Sequence, residues 1–234
     1  MRRAAFAILV LLMTLTTSAA VKVIAIKHAE APPAGFCDPF DVCDQFNTTN
    51  NPATGWTAGP GSGAWQTNGT EMVPPTGTVT ATYDTTVGGA TQYAIVKIVE
   101  SADETGVTMR RGNGEIYYYV MYWNGSGAYW AIRVNANDEY KTESADCATV
   151  AFNDGDYLAA TVSGTGAGTT TVKIWNKGQT APTTPPLSTD TCSTLCCTFT
   201  DDLTWVSDTG NQVGLYIYTG STVRRFDDFA GGNE

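Results

Sequence analysis

The stretch YYYVMYWNGSGAYWAIRVN, residues 117–135, decides the fold, because it carries the clearest β-hairpin pattern in the chain. Two runs rich in aromatic and β-branched residues, Tyr117–Trp123 and Ala128–Asn135, flank the sequence Asn124-Gly125-Ser126-Gly127. Asparagine and glycine adopt the positive φ angles that a tight turn between two strands requires. The sequence therefore predicts two antiparallel strands joined at Gly125-Ser126.

A turn at this place fixes which side chains share a face of the hairpin, because side chains alternate along a strand. One face holds the pairs Trp123 with Ala128, Met121 with Trp130, Tyr119 with Ile132 and Tyr117 with Val134. The other face holds the pairs Tyr122 with Tyr129, Val120 with Ala131 and Tyr118 with Arg133. The first face is bulky and apolar, so it is predicted to lie in the core, with Trp123 and Trp130 as structural residues. The second face is predicted to meet water.

The rest of the chain also has the sequence pattern of β-strands and not of helices. No window keeps apolar residues at helical spacing without an interrupting Gly, Thr or Pro. Short runs typical of strands recur between turn residues, at Gly77–Tyr83, Gln92–Val99, Gly106–Arg110, Tyr157–Ser163, Thr170–Trp175 and Gln212–Tyr218. The stretch Thr180–Thr191 holds three prolines and is predicted to be a long surface loop, because proline removes a ladder donor. The sequence thus predicts an all-β fold.

The first twenty residues have the pattern of a signal peptide. Arg2 and Arg3 precede a short apolar run, and the small residues Ser18, Ala19 and Ala20 follow it. The run is too short to span a bilayer. We therefore expect a signal peptide at 1–20, a flexible N-terminal segment at 21–35 and one β-sandwich domain at 36–234, in a secreted protein with no membrane span.

The chain is acidic, with 13 basic against 23 acidic residues and a formal net charge of −10. Removing residues 1–20 would take away two arginines and no acid, so the mature chain would be more acidic still. Such a charge argues against binding nucleic acid through its phosphates. It fits either simple solubility or the binding of calcium.

Six cysteines follow the signal, where an oxidising compartment would let them pair. They are Cys37, Cys43, Cys147, Cys192, Cys196 and Cys197. Adjacent Cys196 and Cys197 do not pair readily with each other, because the small ring is strained. Cys37 with Cys43 closes one short loop, Cys192 with Cys196 or Cys197 closes another, and Cys147 is left for the remaining cysteine. Sequence alone does not choose among these connectivities.

Several loose elements occur in an order that resembles the concanavalin A-like lectin/glucanase superfamily, especially its laminin G-like modules. They are Asp44-Gln45-Phe46, Gly55-Trp56-Thr57, Ala64–Gly69, Gly106–Arg110, Asp154–Leu158, Val172–Gly178, Gly210–Tyr218 and Arg225–Phe229. The last two match best, as a closing strand with an acidic residue near the end. Lys177 separates Asn176 from Gly178, where the family pattern has Asn-Gly.

The resemblance implies an antiparallel two-sheet β-sandwich of the concanavalin A-like jelly-roll type. It also implies a structural calcium ion, Ca2+, near the chain ends. Asp227 is the position carried over, with Asp228 as its neighbour. Calcium accepts a single carboxylate together with backbone carbonyls, so a sparse acidic pattern is compatible with such a site. The alternative is a solvated Asp-Asp pair.

Residues for ordinary hydrolytic chemistry are missing from the sequence. Related enzymes use carboxylates on one strand, in a Glu-x-Asp-x-x-Glu arrangement, and neither Glu100 with Asp103 and Glu104 nor Glu139 with Glu143 has that spacing. His28 is the only histidine and lies upstream of the domain, which excludes Ser-His-Asp and Cys-His mechanisms within it. No catalytic residue is therefore predicted.

The tyrosine face of the hairpin is the candidate binding surface. Sugar C–H groups stack on aromatic rings, and sugar hydroxyls need hydrogen-bonding groups at the rim. The candidate carbohydrate-binding residues are Arg110, Tyr118, Tyr122, Tyr129 and Arg133. Tyrosines that simply fill a sheet are the plain alternative, since aromatic residues favour strands.

The sequence thus predicts a secreted, non-catalytic, lectin-like protein that binds carbohydrate or a glycoconjugate. The first alternative is a structural subunit of an extracellular surface layer, filament or virion, whose segment 21–35 would reach a neighbouring copy in self-association by strand addition. The second is a glycoside hydrolase or polysaccharide lyase whose carboxylates meet only in space.

Overall fold

The computed structural model describes residues 36–59, 63–75, 79–100, 104–112, 117–123, 125, 127–134, 139–147, 150–166, 168–193, 195–201, 210–217 and 225–234. Within these ranges, the side chains at 79–80, 117–119, 130–134, 139–147 and 201 are not described. The predicted signal peptide and the predicted N-terminal segment 21–35 lie outside the described residues. The part of the chain that the structure describes contains no apolar helix of membrane-spanning length.

Strands make up the regular structure of the described residues. They are β1 (Val42–Asp44), β2 (Thr49–Asn50), β3 (Trp56–Ala58), β4 (Gln66–Asn68), β5 (Met72–Val73), β6 (Val79–Tyr83), β7 (Gln92–Ile98), β8 (Thr105–Arg111), β9 (Tyr117–Trp123), β10 (Ala128–Val134), β11 (Glu139–Cys147), β12 (Tyr157–Ser163), β13 (Thr170–Asn176), β14 (Cys196–Asp201), β15 (Gln212–Ile217) and β16 (Phe226–Asn233). The all-β prediction is confirmed for this part of the chain.

The strands form two antiparallel sheets. Sheet A has the order β14-β13-β12-β7-β16-β5-β4-β2, with β1 also paired to β16. Sheet B has the order β11-β10-β9-β8-β15-β6-β3. The two sheets pack face to face around one core, so the predicted two-sheet antiparallel β-sandwich is confirmed.

Alternating residues from both sheets build the core between them. Val96 and Ile98 of β7 meet Val107 and Met109 of β8, and all four are fully buried. At one edge the ring of Trp56 lies 4.9 Å from that of Phe229, and its Nε1 donates a hydrogen bond to Asp44 at 2.7 Å. Burial of this alternating set is what fixes the register of each strand, because a slip of one residue would expose it.

A second apolar cluster covers the outer face of sheet A. Phe36 and Phe40 lie on this face, where their rings contact Tyr157 at 6.1 Å and Tyr93 at 6.2 Å. The predicted Cys37–Cys43 disulfide is confirmed, and it ties this segment into a short loop. The outer face of sheet A is therefore shielded from water near the middle of β7 and β12.

The second disulfide lies in the C-terminal cysteine cluster. Cys192 bonds Cys196, which is one of the two pairings left open by the sequence, and Cys197 is also disulfide-bonded. The side chain of Cys147 is outside the described residues. The predicted loop Thr180–Thr191 contains no strand, and Lys173 Nζ holds it by donating to the carbonyl oxygens of Ser188 and Asp190.

Candidate functional site

The hairpin β9–β10 has the register that the sequence predicts. Trp123 pairs with Ala128, Tyr122 with Tyr129, and Tyr118 with Arg133. Met121 and Trp123 lie in the core between the sheets, whereas Tyr122 belongs to a separate cluster on the outer face of sheet B. The predicted alternation is thus confirmed for the described side chains, and the core position of Trp123 with it.

Three tyrosines from three strands form a row across this outer face, which we call the tyrosine row: Tyr216, Tyr122 and Tyr129. The rings of Tyr122 and Tyr129 are stacked, with centroids 5.6 Å apart and planes 17° apart. Tyr216 lies 5.6 Å from Tyr122 on the other side, at 56°. Gly106 of β8 pairs with Tyr216 on one side and with Tyr122 on the other, so no side chain separates the rings of these two tyrosines.

The tyrosine row is open to water at one end only. Tyr129 is half-buried, but Tyr122 is 1% exposed and Tyr216 is fully buried. The prediction that Tyr122 faces water is therefore wrong, because its ring lies between those of two neighbours. At the buried end the Tyr216 hydroxyl donates a hydrogen bond to Glu104 Oε2 at 2.8 Å.

Sequence reasoning missed Tyr216 and Glu104. One signal for Tyr216 was available, since Val213, Leu215 and Ile217 alternate with it as core residues. The sequence did not predict that β15 lies beside β8, because the last residue of β8 and the first residue of β15 are 101 positions apart. The side chains of Tyr118 and Arg133 lie outside the described residues, and their proposed roles stay predictions.

Arg110 is placed away from water, at 0% exposure. Its φ is 54° and its backbone N–H donates to Gln92 Oε1 at 2.8 Å. Its guanidinium donates to the carbonyl oxygens of Ala90 and Gly164. Arg110 thus joins the end of β8 to two loops of sheet A, and a contact with sugar, which stays a prediction, would require this side chain to leave its present partners.

The acidic pair Asp227-Asp228 lies in β16 on the outer side of sheet A, where the register shifts by one residue between Asp227 and Phe229. Asp228 has a φ of 44° at this bulge. Asp227 Oδ2 lies 3.1 Å from Lys97 Nζ, and its Oδ1 accepts the backbone N–H of Asp228 at 2.9 Å. Asp228 Oδ2 accepts the hydroxyl of Tyr157 at 2.5 Å, whereas its Oδ1 is buried without a hydrogen-bond partner.

Burial sets the protonation behaviour of this pair. It raises the pKa of Asp227, and the positive charge of Lys97 opposes that rise. Burial, followed by the negative charge of Asp227, raises the pKa of Asp228 to about 6 against the pull of the Tyr157 hydrogen bond. The pKa of Tyr157 is raised by burial and then by its bond to Asp228.

These contacts do not fit a calcium ion. Calcium takes six to eight oxygen ligands. Here the ammonium group of Lys97 takes the place that a cation would occupy beside Asp227. A further acid whose charge acts on Asp227, Glu71, is paired with Arg225 at 2.8 Å. The described residues hold no group of three or more His, Cys, Asp or Glu side chains that could bind a metal.

Calcium is therefore expected to act independently of Asp227. The shift in melting temperature on adding calcium after chelator treatment should be the same in the wild type and in Asp227→Asn, because a ligand stabilises only through the residues that bind it. Differential scanning fluorimetry measures this shift, with the exposed-site variant Asp38→Asn as control. A calcium-induced shift that disappears in Asp227→Asn alone would contradict this.

The fold defines the class of this protein as an antiparallel two-sheet β-sandwich. No protein-family model matches the chain, and no curated protein matches its sequence. Among solved structures it is similar to the carbohydrate-binding module CBM66 from Bacillus subtilis, with 12% identity and a TM-score of 0.46 over 77% of this chain and 93% of that one.

Two further solved structures are similar to it. One is a glycoside hydrolase of the GH43 class, engineered to display endo-xylanase and exo-arabinofuranosidase activity, with 14% identity and a TM-score of 0.48 over 82% of this chain and 40% of that one. The other is the exoplasmic/lumenal domain of VIP36 bound to Ca2+ and Man3GlcNAc, with 12% identity and a TM-score of 0.43 over 78% of this chain and 87% of that one. Identities of this size concern the fold alone.

Proposed function

We propose that the chain is a non-catalytic carbohydrate-binding protein that takes its ligand at the open end of the tyrosine row. The observation that carries this proposal is the stacked pair Tyr122 and Tyr129, of which the first is buried and the second is half-buried. The buried ring supports the outer one from below. Tyr129 is then held in one orientation before a ligand arrives, which lowers the entropy cost of binding.

The ligand class follows from the chemistry of this end of the row. A sugar presents C–H groups to the water-exposed part of the half-buried Tyr129 ring and hydroxyl groups to the polar surroundings. Arg133 is part of the proposed surface through its place on β10, four residues after Tyr129 along the strand. The acidic charge of the chain disfavours acidic polysaccharides through long-range repulsion, so the proposed ligand is a neutral glycan or glycoconjugate.

Replacing Tyr129 with alanine is expected to weaken glycan binding by about tenfold, the size of a lost stacking contact. The experiment screens an array of neutral and acidic glycans and then measures affinity for the best neutral glycan by calorimetry. Tyr129→Phe should retain most of the affinity, because it keeps the ring.

The matched control is Phe40→Ala, which removes a half-buried aromatic ring from the outer face of the other sheet. It should leave glycan affinity unchanged. Absence of binding to every glycan, or equal losses in Tyr129→Ala and Phe40→Ala, would overturn the proposed site.

Export is the second part of the proposal. The disulfides Cys37–Cys43 and Cys192–Cys196 support it, because such bonds persist in oxidising compartments. Self-association through residues 21–35, the basis of the structural-subunit alternative, also stays a proposal. Gel filtration of the full mature chain beside a chain that starts at Phe36 tests it, and only a change in oligomeric state between the two supports the alternative.

A further inference from the structure

Lys97 and Asp227 face each other across two neighbouring strands in the middle of sheet A. The register of β7 and β16 pairs the two residues, and Lys97 Nζ lies 3.1 Å from Asp227 Oδ2. The lysine side chain is 18% exposed and the aspartate side chain 3%. The nitrogen thus touches the carboxyl group at Oδ2, one bond away from the Cγ that it would attack, and such contact is the starting point for a near-attack geometry.

We propose that Lys97 and Asp227 become joined by an intramolecular amide bond between Lys97 Nζ and Asp227 Cγ. The bond would link β7 to β16 covalently, and it would close a loop between residues 130 positions apart. This is a modification of the chain itself and is independent of the proposed glycan binding.

The surroundings favour the neutral forms that amide formation needs. The outer face of sheet A is covered here by the cluster that contains Phe36, Ile95, Tyr157 and Ala230. In such a place charged groups lose hydration, so transfer of a proton from the ammonium to the carboxylate becomes less costly than in water. Burial raises the pKa of Asp227 in the direction that this transfer requires.

Asp227 is already polarised for attack. Its Oδ1 accepts the backbone N–H of Asp228 at 2.9 Å, and its Oδ2 is the oxygen beside Lys97. When the amine lone pair adds to Cγ, negative charge develops on Oδ1, where the Asp228 N–H stabilises it. Oδ2 is then the oxygen that leaves.

Asp228 is the proposed proton carrier. Its Oδ1 is buried and unpartnered, while Tyr157 holds its Oδ2. The carboxylate takes a proton from the attacking nitrogen and delivers it to the departing hydroxyl. One C–N bond forms, one C–O bond breaks and one water leaves, so nothing is oxidised or reduced.

Proximity supplies the driving force. Amide formation from free amine and acid is unfavourable in dilute water, but groups held in contact react as if at about 10⁵–10⁸ M. Folding brings Lys97 and Asp227 together, so the bond should form after folding and be absent from chain that has never folded.

Mass spectrometry tests the proposal directly. After reduction and denaturation, the folded wild-type chain should be lighter than its sequence mass by about 18 Da, one water. Trypsin should fail to cut after Lys97, and the peptide Phe226–Glu234 should be found attached to the peptide that contains Lys97. Mapping excludes water lost at Asp154-Gly155, which can cyclise on its own.

Lys97→Arg is the matched control, because it keeps the positive charge beside Asp227 but offers no amine to acylate. It should fold and show its full sequence mass. Asp228→Asn should also show its full mass, because its side chain accepts no proton. Full mass and normal cleavage at Lys97 in the folded wild type would overturn the bond, and unchanged bond formation in Asp228→Asn would overturn the role of Asp228.

Discussion

Alanine at position 106 is expected to lower the free energy of unfolding by about 3 kcal/mol, the upper range for forcing an atom into a packed site. A Cβ at Gly106 would lie 1.9 Å from the carbonyl oxygen of Met121 and 2.6 Å from Tyr122 Cα. Both are backbone atoms of β9, so no rotamer change relieves the overlap. Strands β8 and β9 would have to separate, and the rings of Tyr216 and Tyr122 would lose their contact.

Urea denaturation followed by tryptophan fluorescence measures this effect. Gly166→Ala is the control, because a Cβ there meets nothing within 4 Å, although its φ of 80° costs about 1–2 kcal/mol for alanine. Equal destabilisation by the two substitutions would show that β9 does not approach Gly106 as closely as described.

The buried carboxyl group of Asp228 is expected to make the stability of the protein depend on pH. The pKa of Asp228 is about 6 in the folded protein against an ordinary 3.8, so the folded state holds this proton more tightly than the unfolded state. Asp228 therefore stabilises the folded state most below pH 3.8, less as the pH rises to about 6, and by a constant amount above that. The stabilisation below pH 3.8 exceeds that above pH 6 by roughly 3 kcal/mol.

Asp228→Asn removes this titration. The stability of the variant minus that of its parent should increase by about 2–3 kcal/mol as the pH is raised from 4 to 7. Both proteins should carry Lys97→Arg, so that no amide bond forms and a positive charge still faces Asp227. The groups around Asp228 are then Asp227, residue 97 and Tyr157, with Glu71 and Arg225 beyond them.

Thermal or urea unfolding at several pH values provides the data. Asp38→Asn, at an exposed position, should show no such gain. A stability difference between the Asp228→Asn protein and its parent that is the same at pH 4 and pH 7 would contradict the prediction.

The hairpin shows what local sequence can specify. Asn-Gly chemistry and alternation predict β9, β10 and their seven register pairs, all of which the structure confirms. Tyr157–Ser163 is likewise predicted with its observed ends. These features depend on neighbours in the chain, where turn geometry and side-chain period leave few alternatives.

Contacts between residues that are far apart in the chain could not be predicted from the sequence. Whether Tyr122 is exposed depends on Tyr216, which is 94 positions away and reaches it across Gly106. The bulge at Asp228 and the positive φ of Arg110 turn two polar side chains to places that strict alternation does not give. Short strands such as β2 and β5 have two residues each and carry no period to detect.

The position of β16 bears on when the chain can fold. β16 follows all the other described strands along the sequence, yet it pairs with β1, β5 and β7 in the middle of sheet A. A polypeptide that ends before Phe226 lacks the strand that joins β1 and β5 to β7, and such non-local pairing forms slowly. Sheet A is therefore expected to close only when β16 has joined it, so a chain truncated before Phe226 should leave β1 and β5 without a hydrogen-bonded link to β7.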